Sequence, residues 1–243
     1  MDPRDLNFFK GRSVLVTGAT GGLGLELIRS FARFGCTVYA AARTPGRLSE
    51  QGLPSTVVPV SMDLANPASI DASIPRLRDT SIVINNAGVN RADSVLFCRD
   101  EHAAREEMEV NYFGPLRLAR ALAPFMRARQ EGLFVNVLSV LSIDHLVACG
   151  SYSVSKAAAH SLTEGMREEL RPSSVRVIGV YPGPMDTPMS AGLPIAKVSP
   201  HDVANMIVEA ILSGEDALFP GPEARDLRAR WKGNGTRADL SQS

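Results

Sequence analysis

The chain has 243 residues, 44% hydrophobic and 21% charged, with 26 basic and 26 acidic side chains that cancel formally. That composition belongs to a globular protein with a sizeable core and excludes a disordered chain. The charge balance provides no field for nucleic acid or an anionic membrane, so neither is expected as a partner. No stretch approaches the about 18 uninterrupted apolar residues that a membrane span requires. The start, residues 1–10 with Asp2, Arg4 and Asp5, has no signal-peptide pattern. Cys36, Cys98 and Cys149 lack metal-ligand spacing and read as buried free thiols, in keeping with a cytoplasmic protein.

Residues 13–16 predict a first strand, followed by Thr17-Gly18-Ala19-Thr20-Gly21-Gly22-Leu23-Gly24. Leu25, Leu27, Ile28, Phe31 and Phe34 then recur at helical spacings until Gly35. A glycine turn between strand and helix lets backbone N–H groups approach a pyrophosphate at the helix's positive end. Gly18, Thr20, Gly22, Leu23 and Gly24 are therefore candidate cofactor-binding residues. A second strand, 37–41, ends at Ala42-Arg43. In a dinucleotide fold the residue past this strand faces the adenosine ribose, where an acid bonds the 2′-hydroxyl and an arginine accommodates a 2′-phosphate. No acid stands there, while Arg43 does and Arg47 is near, so NADP(H) is preferred over NAD(H).

A third strand, 56–60, leads into Ser61-Met62-Asp63-Leu64, and Pro67 opens a helix to Leu77. The fourth strand, 81–84, closes on Asn85-Asn86-Ala87-Gly88, where asparagine amides can tie strand ends and the small pair admits a ligand. Residues 101–129 form a long helical region with a kink expected near Asn111, because Pro115 removes a helix hydrogen bond and disfavours the helical conformation at Gly114. The fifth strand, 133–138, delivers Ser139; a loop, 140–150, precedes a helix reaching about Leu170. The sixth strand, 175–181, is closed by Pro182-Gly183-Pro184. Residues 185–198, with flanks 184 and 199, lack periodicity and read as a lid. Pro200 opens a helix to Leu212, residues 217–219 form a short last strand, and a short helix spans 227–231. The polar end, 232–243, reads as disordered or as a crossing arm. The alternation predicts an α/β, Rossmann-type doubly wound, mostly parallel seven-stranded sheet with helices on both faces, in one domain over 1–243.

Tyr152 and Lys156, four apart, share one helix face. A nearby ammonium stabilises the phenolate and lowers the tyrosine pKa, giving an acid able to protonate an oxyanion. Ser139, thirteen residues before Tyr152, can converge with it on one carbonyl oxygen.

With these pieces the sequence resembles the short-chain dehydrogenase/reductase family over residues 11–219. Thr17, Gly18, Gly22 and Gly24 match its Thr-Gly-x-x-x-Gly-x-Gly turn, Asn85 to Gly88 its Asn-Asn-Ala-Gly motif, and Tyr152 with Lys156 its Tyr-x-x-x-Lys pair. Asn111, Ser139 and the Pro182-Gly183 turn fall in family order. The resemblance implies Tyr152 as proton donor or acceptor, Lys156 as its activator and a ribose ligand, and Ser139 as donor to the substrate oxygen. It also implies Asn111 as anchor of a water relay to Lys156. By the same resemblance Asp63 and Leu64 border the adenine, and Asn86, Ala87 and Gly88 lie along the cofactor. Pro182, Gly183, Met185 and Thr187 flank the nicotinamide. It implies a homodimer or homotetramer paired through the helices at 101–129 and 152–170. Gly21 stands where many NADP(H)-using members carry a basic residue, and Leu138 where serine is frequent; Ser142 and Ser151 are the alternatives to Ser139.

His102, His145, His160 and His201 show no ligand spacing, although His145 lies where a substrate could reach it. Leu146, Val147, Met189 and Leu193 are candidate pocket or core residues. The expected activity is hydride transfer between NADP(H) and a ketone, aldehyde or secondary alcohol. The alternatives are a cofactor-sensing protein without chemistry, an NAD-dependent alcohol dehydrogenase, or an isomerase or dehydratase on the same fold.

Overall fold

The computed structural model describes residues 7–192 and 194–234. Its strands are β1 (Ser13–Thr17), β2 (Thr37–Ala42), β3 (Val57–Ser61), β4 (Ile82–Asn85), β5 (Gly132–Val137), β6 (Val175–Val180) and β7 (Ala217–Leu218). They form one sheet in the order β3-β2-β1-β4-β5-β6-β7. Every adjacent pair is parallel, so the sheet expected to be mostly parallel is wholly so. The winding direction reverses between β1 and β4, which opens a crevice beyond their carboxyl ends.

Period-two alternation along the strands divides the core between two faces. Val14, Val16, Ile82 and Ile84 point to the face covered by α1 (Gly22–Arg33) and α6 (Pro200–Ser213). Leu15, Val83 and Phe134 point to the other, covered by α2 (Pro67–Ser73), α4 (Gly114–Arg129) and α5 (Gly150–Leu170). Phe31 of α1 is fully buried, and truncating such a side chain to alanine costs about 3–5 kcal/mol. Helices on both faces of a parallel sheet are what its doubly buried, β-branched strands demand.

Four elements depart from the sequence expectation, each for a local reason. The helix opened by Pro67 stops at Ser73 and tightens into a 3₁₀ turn, Ile74–Arg76, because Pro75 has no N–H to continue it. The kink expected near Asn111 is a π turn, Glu109–Phe113, joining α3 (His102–Met108) to α4. Pro115 has no N–H for the Asn111 carbonyl, and a Cβ on Gly114 would stand 2.8 Å from Leu64 Cβ, so the helix widens where it meets the end of β3. The loop after Ser139 contains 3₁₀ turns at Val140–Ser142 and Val147–Cys149. The last helix, α7 (Pro222–Asn234), is longer than expected and takes in the first three residues of the polar end; residues 235–243, like Leu193, lie outside the described residues. Among the three free cysteines only Cys36 is buried, whereas Cys98 and Cys149 are partly exposed. No helix of the described residues is long and apolar enough to cross a membrane.

Candidate active site

A cleft of about 540 Å³ runs along the carboxyl ends of the central strands. Its floor is the turn after β1. Gly18 has φ +67°, a left-handed conformation that disfavours other residues, and a Cβ there would lie 2.9 Å from Ala87 Cα. A Cβ on Gly24 would lie 2.2 Å from the Gly18 carbonyl oxygen. Backbone therefore packs on backbone at the start of α1, whose free N–H groups and positive end suit a pyrophosphate. Thr17 Oγ1 accepts from the Asn86 and Ala87 N–H groups at 3.0 and 3.1 Å, while Asn86 Nδ2 donates to the Thr17 carbonyl at 2.9 Å. These bonds tie the ends of β1 and β4 and turn the small Ala87-Gly88 pair into the cleft wall. A cleft of this volume, with a floor that side chains would fill, fits an elongated dinucleotide.

The adenosine end is bounded by Arg43, Asp63 and Leu64. Arg43 is exposed just past β2; Asp63 is fixed by the hydrogen bond its N–H gives Ser69 Oγ at 3.0 Å. The wall also includes Glu106 and Val110, which sequence reasoning left inside a long helix. They are four residues apart on one helix face, and that spacing was the available signal. Met62, Ala65 and Pro188 were likewise missed.

At the other end Tyr152 and Lys156 project from the first turns of α5. Lys156 Nζ donates to the Val137 carbonyl at 2.8 Å and lies 5.8 Å from the centre of the Tyr152 ring. The net shift of the tyrosine is upward, against the expected lowering, because burial outweighs the influences that favour the phenolate. Burial is the largest influence on both groups: it pushes the Tyr152 phenol up and pulls Lys156 down to about 8. A hydrogen bond with Ser139 opposes the shift of Tyr152, while Cys149 and Glu107 add to it. Ser139 Oγ accepts the Leu141 N–H at 3.1 Å, which leaves its own proton free to donate. The alternative serines are engaged: Ser142 Oγ donates to the Ser139 carbonyl and Ser151 Oγ to the Asp93 carbonyl at 3.4 Å.

Asn111 stands behind Lys156. Its side chain accepts the Val89 N–H and donates to the Val89 carbonyl and Ser155 Oγ, each at 2.9 Å. A small cavity of about 10 Å³, bordered by Asn85, Asn111, Pro115 and Lys156, is close to the size of one water. Of the sequence-predicted cofactor residues, Pro182 and Gly183 do not line the main cleft. The Pro182 carbonyl accepts the Val140 N–H at 3.0 Å and the Gly183 N–H donates to Pro220 at 3.2 Å, so both are occupied in joining loops. Met185 and Thr187, just beyond them, do line it. Of the histidines, His145 and His201 are exposed, and His160 Nδ1 is hydrogen bonded to the Tyr181 hydroxyl at 2.9 Å, with its pKa lowered chiefly by burial.

The family model for short chain dehydrogenases matches residues 12–197. A 1-deoxy-11-beta-hydroxypentalenate dehydrogenase of Streptomyces exfoliatus is 33% identical over 236 residues, covering 88% of this chain and 84% of its own. The crystal structure of a short chain dehydrogenase from Burkholderia cenocepacia in complex with NADP is 40% identical with a TM-score of 0.87, covering 93% of this chain and 94% of that one. A short chain dehydrogenase/reductase from Burkholderia phymatum in complex with NAD superposes with a TM-score of 0.81 over 93% of this chain and 95% of its own; at 24% identity that likeness shows the fold alone. The chain belongs to the short-chain dehydrogenase family. It is an oxidoreductase of the kind that interconverts CH–OH and C=O groups.

Proposed function

We propose that the protein is an NADP(H)-dependent carbonyl reductase in which Tyr152 delivers the proton. The observation that carries this reading is that Tyr152, hydrogen bonded to Ser139, and Lys156 line a cleft that a glycine turn and Arg43 also line. The nicotinamide supplies the hydride when bound. The rest falls to the chain. Gly18, Thr20, Gly22, Leu23 and Gly24 hold the pyrophosphate on the start of α1, Arg43 meets the 2′-phosphate, and Asp63 and Leu64 bound the adenine. Asn86, Ala87, Gly88, Met185 and Thr187 orient the remainder, with Pro182 and Gly183 fixing the backbone before them.

Tyr152 gives its proton to the carbonyl oxygen as that oxygen gains negative charge, and Ser139 donates a second hydrogen bond to it. A phenol that burial keeps protonated is in the right form for reduction. Lys156, charged below about pH 8, stabilises the phenolate left behind and orients the ribose. Asn111 holds the small cavity beside Lys156 through which a water replenishes the proton. The experiment is NADPH oxidation against a carbonyl panel: wild type turns over, and Tyr152→Phe loses turnover while retaining NADPH binding. Full turnover by Tyr152→Phe sinks the mechanism.

The substrate we infer has an apolar body. Nine large apolar side chains are exposed among the described residues, and seven lie in three loop segments: Val95, Leu96 and Phe97, then Leu146 and Val147, then Met189 and Ile195, of which Met189 lines the cleft. The third loop, 184–199, acts as the lid. The other two, Phe113 and Val154, lie on the helical regions through which a homodimer or homotetramer pairs. A monomer in sedimentation at micromolar concentration overturns that assembly. The reading places the protein in the cytoplasm, without nucleic acid or membrane as partner; fractionation with membranes would contradict it.

A further inference from the structure

Glu107 is fully buried on α3, one turn before Asn111. Its Oε1 accepts the Arg91 backbone N–H at 2.6 Å, and its Oε2 has no hydrogen-bond partner among the described residues. A half-paired carboxylate is a costly way to fill space that an apolar side chain would fill better, so packing does not account for it. Its neighbours give it a task. Arg91 Nε donates to Glu106 at 2.6 Å, and Asn111 grips Val89 through both its N–H and its carbonyl. Three side chains of one helical stretch thus hold residues 89–91, the segment that leaves the cleft after Gly88. Two residues further on, the Asp93 carbonyl accepts the Ser151 N–H at 3.3 Å, next to Tyr152. A second path runs from Asn111 to Ser155 Oγ, whose hydroxyl donates to the Tyr152 carbonyl at 2.8 Å.

We infer that Glu107 is a positioning residue of the active site: its side chain clamps residues 89–91 to the helix that carries Asn111. This rests on the reading of Tyr152 as proton donor.

Two variants test the clamp. In Glu107→Gln the amide oxygen still accepts from Arg91, so kcat falls only about two- to threefold and amide exchange of residues 89–93 keeps its wild-type rate. Glu107→Ala releases the clamp: kcat falls about tenfold or more with NADPH affinity retained, and amide exchange of residues 89–93 accelerates. Unchanged kcat and exchange in Glu107→Ala overturn the inference. If Glu107→Ala does not fold, Glu107→Met, which fills the space but accepts no hydrogen bond, takes its place with the same expected outcomes. If wild type reduces no carbonyl, it is the proton-donor reading that has failed, and the exchange rate at Arg91 still judges the clamp: no acceleration in Glu107→Ala or Glu107→Met overturns it.

Discussion

Lys156 gives its hydrogen bond to the Val137 carbonyl at 2.8 Å while its ammonium stands 5.8 Å from the centre of the Tyr152 ring. Both side chains are buried, at 4% and 8% exposure, and burial disfavours the charged form of each. The pair is therefore held in the phenol and, above about pH 8, amine forms. A site so arranged sacrifices stability for function, since the ammonium is desolvated against a single carbonyl.

The cost has a definite pH dependence. Lys156 titrates near 8 in the folded protein, against an ordinary 10.5, so between these values the unfolded chain binds more protons than the native one. The lysine's penalty is present in full below about pH 8 and is relieved as pH rises toward 10.5; Tyr152, shifted upward, acts in the opposite direction only above the ordinary tyrosine range. Lys156→Met removes the penalty. It should raise Tm at pH 7 by about 3 °C or more, flatten the rise in stability between pH 8 and 9.5, and abolish turnover. Thermal unfolding at several pH values checks this, and a lower Tm in the variant refutes it.

The proposed preference for NADP(H) rests on Arg43. It is exposed past β2, with no acid at that strand end to bond a 2′-hydroxyl. On that proposal its contact with a 2′-phosphate would be charge-assisted but open to solvent, so Arg43→Ala should weaken NADPH binding about tenfold and leave NADH binding within about twofold. Fluorescence titration with each nucleotide measures both. Equal losses for the two would show that Arg43 does not read the phosphate.

These expectations divide by how local their physics is. The strands, the turn from Thr17 to Gly24 and the helix starting near Tyr152 were legible, because periodicity and glycine chemistry act within a few residues. The spacing of Tyr152 and Lys156 was legible too, but its electrical consequence was not. Whether the ammonium points at a phenol or at the end of β5 depends on Val137, nineteen positions away in sequence and adjacent only in the fold. Glu107 escaped notice for the same reason. On a helical wheel it is one more acid beside Glu106; its burial arises only when residues 89–91 fold back against α3. Pro115 was read as an interruption, whereas Pro75 was passed over inside a helix expected to reach Leu77; the π turn in one case and the 3₁₀ turn in the other appear only in the fold.

Three apolar loop segments bear on the proposed substrate. Phe97 is 91% exposed, Leu96 80% and Val147 73%, far more than an apolar side chain needs if its only role is packing. The first two loops are joined at the start of α5, where a Cβ on Gly150 would stand 2.7 Å from Val95 Cγ2; Met189 of the third lines the cleft itself. On the function proposed above, an alkyl chain of the substrate would run along these side chains. A carbonyl compound with a growing alkyl chain should gain kcat/KM about two- to fourfold per methylene until they are covered, since each buried methylene is worth at most about 0.8 kcal/mol. Replacing Phe97 and Val147 by serine should flatten that slope while leaving the shortest substrate and NADPH affinity unchanged. A series of straight-chain ketones assayed against wild type and the double variant gives the answer. A flat series in wild type would mean that these side chains meet something other than substrate, and a concentration-dependent change in mass on substituting them would identify that something as a second copy of the chain.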